Sequence, residues 1–408
     1  MPADGPNADV SSVPLDKLDL SQQHIWSTNS HWPYFARLRR EAPVHFCPES
    51  QFGPYWSVTT YKDIFFVDTH HDLFSSSDGI TLADASEGFE LPMFIAMDPP
   101  RHDAQRKAVQ PIVGAPMLEA LQPIIRERIA GILDALPRGQ TFDWVDRVSI
   151  ELTTQMLATL FDFPFEDRRK LTRWSDVATG RGNRAIVESE EQWRGELLEC
   201  ADYFSRLWNA RIDAPPRQDL ISLMAHAPAT RDMPRMEFLG NLILLIVGGN
   251  DTTRNSLTGG VIAFNENPSE FAKLRADPAL VDSAASEIIR WQTPLAHMRR
   301  TAIFDTELGG QQIRAGDKVV MWYVSGNRDE TAIENANAFR IDRPRVRQHL
   351  SFGYGIHRCV GMRLAEMQLR TTWEEILKRF DRIEIMGPPD RIPSSFVHGY
   401  STLPVRVS

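Results

Sequence analysis

Two short segments hold the residue types that could do chemistry. In Phe352-Gly353-Tyr354-Gly355-Ile356-His357-Arg358-Cys359-Val360-Gly361 a lone cysteine stands between glycines, just ahead of a helix-like run from Met362 to Phe380. A cysteine at a helix start is held as a thiolate by the helix dipole and by backbone N–H donors, and that is the state a metal requires. Gly353, Gly355 and Gly361 permit tight turns that let the loop lie against a planar macrocycle, with Phe352 packed nearby. A buried structural cysteine is the ordinary reading of such a residue. Here Phe, Gly, a basic residue, Cys and Gly stand at offsets zero, three, five, seven and nine, a pattern expected by chance in roughly one chain in a thousand at average composition.

The second segment is Gly248-Gly249-Asn250-Asp251-Thr252-Thr253. It falls in the middle of a long helix predicted between Met236 and Asn265 and ended by Asn267-Pro268, apolar on nearly every face of its first half and so expected to run through the interior. Each glycine sacrifices roughly 1 kcal/mol of helix stability relative to alanine. Glycines remove Cβ atoms where a flat ligand approaches the backbone, and a threonine hydroxyl bonded to the carbonyl one turn earlier opens the ladder for water. Taken alone, the segment reads equally well as a weakened kink whose Asp251 and Thr252 are satisfied by hydrogen bonds.

The elements that must position these residues are mostly helical. Leu118, Leu121, Ile125, Ile129, Ile132 and Leu136 recur at helical spacing before Pro137 and Gly139, and Ile150, Met156, Leu157 and Leu160 repeat the pattern. Val44 to Phe46 and Tyr55 to Thr60 read as a hairpin around Pro48 to Pro54, while 213–218 and 227–234 read as connections. The fold class expected is mainly α with small β-sheets. Residues 1–20 are expected to be a flexible N-terminal segment and 21–408 a single domain, since the two chemical segments need one common site.

Composition excludes several classes of function. With 54 acidic against 45 basic residues there is no reason to expect a nucleic-acid partner. The polar start of the chain lacks the pattern of a secretory signal, and the longest apolar stretch, Leu242 to Val247, is far short of the ~20 residues that span a bilayer, so no membrane anchor is expected. Cys47, Cys200 and Cys359 are too few for a disulfide framework and too scattered for a zinc site, which suits a cytoplasmic protein.

The cysteine segment resembles the haem-binding loop of the cytochrome P450 family, and the resemblance extends over most of the chain. Gly248 to Thr253 resembles that family's oxygen-activating motif, with glycine in place of the more usual alanine at 248. Glu287-Ile288-Ile289-Arg290 resembles its Glu-x-x-Arg pair, which with Arg343 would form a structural triad. Glu287 and Arg290 also lie on one helix face before Pro294, so their pairing is plausible on spacing alone. The resemblance implies a P450 fold with haem b (iron protoporphyrin IX) between the central helix and the cysteine loop. Cys359 would be the iron ligand, and Phe352, Gly361, Gly248 and Gly249 would lie against the macrocycle. It implies that His102, Arg106, Arg300 and His357 bind the propionates, with Arg299 as the near alternative to Arg300. Asp98-Pro99-Pro100 reads as an N-cap and prolines opening a helix that sets His102 and Arg106 one turn apart.

The activity that the resemblance implies is that of a monooxygenase using O2 as co-substrate, with Asp251 and Thr252 relaying protons. No flavin domain and no Gly-x-Gly-x-x-Gly after a strand is found, so electrons are expected from NAD(P)H through a separate ferredoxin and ferredoxin reductase. Arginines 340, 343, 345, 347, 358, 363 and 370, against Asp342 and Glu366, could dock an acidic ferredoxin, although Arg343 and others could instead serve the fold or the haem. The expected substrate lining is apolar: Leu82, Leu91, Met93, Phe94, Leu245, Leu295, Met298, Phe396 and Val397, with no isolated charge facing a ligand. Residues 245–256, 297–302 and 396–400 resemble bacterial terminal hydroxylases of medium-chain alkanes and fatty acids. That implies an apolar aliphatic substrate hydroxylated at its terminal (ω) carbon; a terpene or aromatic substrate, or a non-catalytic haem-thiolate sensor or carrier, are the alternatives.

Overall fold

The hairpin of the sequence forms, and a sheet grows from it. Val44–Cys47 pairs antiparallel with Tyr55–Val58, which runs parallel to Lys318–Met321; next come Met298–Ala302 and Phe74–Ser75, both antiparallel. Side chains alternate across a strand, so the neighbours Arg299 and Arg300 must leave the sheet on opposite faces. This is a computed structural model and it describes residues 10–408. Of the segment 1–20, residues 1–9 lie outside the described residues. Residues 10–20 run onto the sheet, with Leu18 and Leu20 buried and the Leu20 N–H donating to the Tyr55 hydroxyl at 3.1 Å.

Helices make up most of the rest. The central one, Arg235–Glu266, has 32 residues, so it is about 48 Å long. It packs against Glu151–Phe161, Arg169–Thr179, Val281–Gln292 and Met362–Arg379, and its leucines and isoleucines at 239, 242, 243, 246, 257 and 262 are buried. Each such side chain contributes about 1.5–3 kcal/mol. Polar residues among them are satisfied between helices: Thr153 donates to Asn250 Oδ1 at 2.9 Å and Ser149 meets Thr258 at 2.9 Å. The periodic helix over 118–136 is Ala115–Asp134, with its stripe Leu118, Leu121, Ile125, Ile129 and Ile132 buried. No helix among the described residues is long and apolar enough to cross a membrane.

The structure brings the three expected triad residues together. Arg290 meets Glu287 at 2.7 and 2.8 Å, Arg343 meets the same carboxylate at 3.2 and 3.3 Å, and all three side chains are buried. The spare donors of the two guanidinium groups go to carbonyls: Asn327 and Ala336 from Arg290, Glu334 and Asn335 from Arg343, and Ala338 from both. The cluster thereby pins the irregular chain that leads toward the cysteine loop.

Candidate active site

A cavity of about 730 Å³ lies between the central helix and the cysteine loop. Leu245, Gly248, Gly249 and Thr252 face it from one side; Phe352, His357, Cys359 and Gly361 face it from the other. The loop is closed by the Cys359 N–H donating to the Phe352 carbonyl at 2.8 Å, and Gly361 precedes the helix Met362–Arg379. Cys359 is deep in the protein yet its side chain is open, because the surface it presents is cavity wall. Burial pushes its thiol up, while the N–H groups of Gly361 and Met362 and the charges of Arg106 and Arg358 pull it down. A bound cation would complete the set that favours thiolate.

On the central helix the two glycines differ in purpose. A Cβ at Gly248 would meet open space, which leaves the cavity clear above Cys359; a Cβ at Gly249 would meet Leu157 Cδ2 at 2.7 Å, so that glycine also serves helix packing. The Thr252 hydroxyl donates to the Gly248 carbonyl at 2.7 Å, the one-turn bond expected from the sequence.

Asp251 is not on the cavity wall. Its carboxylate lies one layer behind, taking Arg254 Nη2 at 2.8 Å, Asn250 Nδ2 at 2.9 Å and the Ser175 hydroxyl at 3.2 Å. Arg254 also reaches Asp176 Oδ1 at 3.0 Å, and both Arg254 and Asp176 do line the cavity. Burial pushes the carboxyl of Asp251 up, and the charge of Arg254 opposes it. Asp251 and Thr252 are therefore neighbours on the chain that face different surroundings. The i,i+3 spacing of Asp251 and Arg254 could have pointed to their pairing, whereas Asp176 comes from a separate helix and no local pattern carries it.

A cationic rim borders the cavity. Arg300 and Arg106 are on its wall with His357, whose ring stands 4.4 Å from that of His102. His102 itself is behind the wall, held by Asp103 Oδ1 at 2.7 Å. Among the described residues, His102 Nε2 and His357 Nδ1 are buried without a hydrogen-bond partner, while His357 Nε2 meets the Ser76 hydroxyl at 2.9 Å. Burial and then the charges of Arg300, His102 and Arg106 push the His357 imidazole down to about 2. Such a rim is short of anions. Arg299 leaves the other face of its strand to pair with Asp84 at 2.7 Å, which separates it from Arg300. Asp98 corrects one expectation. Its carboxylate takes the Ser75 hydroxyl and the Ser76 N–H rather than capping, and the helix bearing His102 and Arg106 begins at Arg101.

The nine apolar residues expected around a substrate all line this one cavity. Leu82, Leu91, Met93 and Phe94 come from the segment before Arg101; Leu245 from the central helix; Leu295 from just before the strand Met298–Ala302 and Met298 from its start; Phe396 and Val397 from the segment before Tyr400–Thr402. Charges reach this part of the wall too, Asp84, Asp176, Arg181 and Arg254, and none of the four stands isolated. Each is paired, Asp84 with Arg299 and Lys318 at 2.7 Å, Arg181 with Glu190 at 3.0 Å, and Asp176 with Arg254.

Known proteins resemble this chain in sequence and in fold. A family model described as Cytochrome P450 matches residues 209–403. Linalool 8-monooxygenase of Pseudomonas putida is 36% identical to this chain over 96% of it and 99% of the relative. Methyl-branched lipid omega-hydroxylase of Mycobacterium tuberculosis is 30% identical over 96% and 95%. Among solved structures, cytochrome P450-153 from Novosphingobium aromaticivorans superposes with a TM-score of 0.91, at 48% identity, covering 96% of this chain and 99% of that one.

Proposed function

This chain belongs to the cytochrome P450 family and is a monooxygenase of it, and we propose that it hydroxylates the terminal carbon of a medium-chain alkane or fatty acid. The observation that carries this reading is the cavity wall, which is mostly apolar, with Asp84, Asp176, Arg181 and Arg254 each paired to another side chain. Likeness to an omega-hydroxylase of methyl-branched lipids supports attack at a chain end.

The family uses haem and O2, and the residues fit a haem. An open thiol floors the cavity, and a rim with two orphaned buried imidazole nitrogens answers to a group bearing two carboxylates. Cys359 would be the iron ligand, and Arg106, Arg300, His357 and, from behind, His102 would face the propionates. When bound, the haem supplies the centre at which O2 is reduced and one oxygen atom passed to a C–H bond, with thiolate ligation favouring O–O cleavage. Thr252, fixed by its bond to the Gly248 carbonyl, presents a hydroxyl to the reacting side of the cavity. Asp251 is the buried acid from which protons reach that hydroxyl, and the apolar wall excludes bulk water.

Electrons come from NAD(P)H through a ferredoxin reductase and a ferredoxin. Of the arginines between 340 and 370, Arg343 belongs to the buried triad, Arg347 pairs with Glu366 and Arg370 with Asp282. Arg345, Arg358 and Arg363 are exposed and have no carboxylate partner among the described residues, which leaves them for an acidic partner.

Hydroxylation of a terpene is the second reading, favoured by the likeness to linalool 8-monooxygenase. Incubation of the holoenzyme and a surrogate ferredoxin system with a ladder of alkanes, fatty acids and acyclic terpenes separates the two. Terminal alcohols from the alkanes or fatty acids are expected; products from the terpenes alone would overturn the first reading.

A further inference from the structure

Asp68 closes the helix Tyr61–Thr69 beneath the cavity without touching it, and it is fully buried. Its Oδ1 accepts from Arg300 Nη2 at 2.9 Å; its Oδ2 accepts from the Tyr323 hydroxyl at 3.0 Å and from the Tyr354 N–H of the cysteine loop at 2.6 Å. The loop comes close enough that a Cβ at Gly353 would stand 3.0 Å from Asp68 Oδ2, and one at Gly355, where φ is +65°, would collide with the Asp68 carbonyl. One carboxylate thus joins the cationic rim to the loop that carries Cys359.

The remaining donors of Arg300 are what make this more than a buried ion pair. A guanidinium has five N–H bonds. Arg300 spends one on Asp68 and one on the Arg299 carbonyl at 2.9 Å, while the side chain itself lies on the cavity wall. Without Asp68 the same guanidinium would sit in the interior beside Arg106, His102 and His357 with no anion to fix its direction. We infer that Asp68 is a positioning residue that aims Arg300 at a haem carboxylate. The inference rests on the reading of Arg300 as a propionate partner.

Haem transfer from the ferric holoprotein to apomyoglobin tests both. In Asp68→Asn one oxygen becomes an NH2 that faces another donor, Arg300 or the Tyr354 N–H, so the rate of haem loss rises about tenfold, at the low end of what lost outer-shell support costs. The same change made on an Arg300→Gln background adds less than about twofold, because the arm that Asp68 steers is gone. Equal fold-changes in both backgrounds would mean that Asp68 only stabilises the fold, and would overturn the inference. No increase in haem loss from Arg300→Gln alone would instead overturn the propionate reading. If Asp68→Asn does not accumulate, Tyr323→Phe, which removes one donor to the same carboxylate, is expected to give a smaller increase that likewise vanishes on Arg300→Gln. Persistence of that increase would overturn the inference as well.

Discussion

Arg254 Nη2 donates to Asp251 Oδ1 at 2.8 Å from the next turn of the same helix, while its Nη1 reaches Asp176 at 3.0 Å. The acid assigned to proton supply is therefore latched, and burial holds its carboxyl above the usual carboxylate range despite a guanidinium that lowers it. Asp251→Asn is expected to lower kcat by about a hundredfold, within the range of general acid–base terms, with a larger solvent deuterium isotope effect. Arg254→Gln removes the lowering charge, so the limb of the pH–rate profile that Asp251 governs should move to higher pH. An unmoved profile would contradict the latch.

Thr252 offers a hydroxyl on the cavity wall, and Thr252→Ala removes it while keeping the helix. Reductant consumption should persist as product falls and peroxide accumulates. Measured product per NAD(P)H equal to that of the parent would sink the assignment.

Glu287 is the single carboxylate between Arg290 and Arg343. Glu287→Gln leaves two buried guanidinium groups with no charge to answer them, a loss of about 3–5 kcal/mol. Calorimetry should show a much lower Tm and haem content should drop; a variant that melts with the parent would refute a structural role.

Acid should weaken the fold through buried histidines. His297, between the Leu82 N–H and the Ser395 carbonyl, and His398, on the Gln292 carbonyl, are both held at about 4, by burial first and, for His398, then by Arg391. An unfolded histidine titrates near about 6.5, so below that pH the unfolded chain takes up protons that the folded one refuses. Stability is complete above about 6.5 and is lost as pH falls toward about 4, by up to about 1.4 kcal/mol per pH unit for each residue. Urea titrations of His398→Gln across that window should give a shallower slope than the parent; an identical slope counts against it.

Arg363→Glu reverses one of the three unpaired cations beside the cysteine face. First-electron transfer from an acidic ferredoxin should slow, and its dependence on ionic strength should flatten. Stopped-flow rates unaffected at low salt would move the docking surface elsewhere.

How much of this was legible in the sequence depends on how far apart the partners lie. Cys359 with its glycines, Thr252 over Gly248, and Glu287 with Arg290 are set by spacing within one element, and each could be read directly. The choice between Arg299 and Arg300 was not readable, because strand register against Lys318–Met321 decides which of the two enters the interior. Asp68 was invisible for the same reason: it meets Arg300 across 232 residues. Gly249 was read for a ligand and turns out also to admit Leu157, a contact between helices that no local pattern carries. Asp98 looked like a cap, but the tertiary fold offers it Ser75 and Ser76 instead.

The strand Met298–Ala302 is gripped unequally on its two faces. Inside, Arg300 is tied to a carboxylate sealed from water; outside, Arg299 and Lys318 share Asp84, which is 63% exposed. The outer pairs have a carboxylate that water reaches and are screened by salt, whereas the inner pair is not. Rising ionic strength is therefore expected to weaken the hold on Asp84 while Asp68 and Arg300 stay joined.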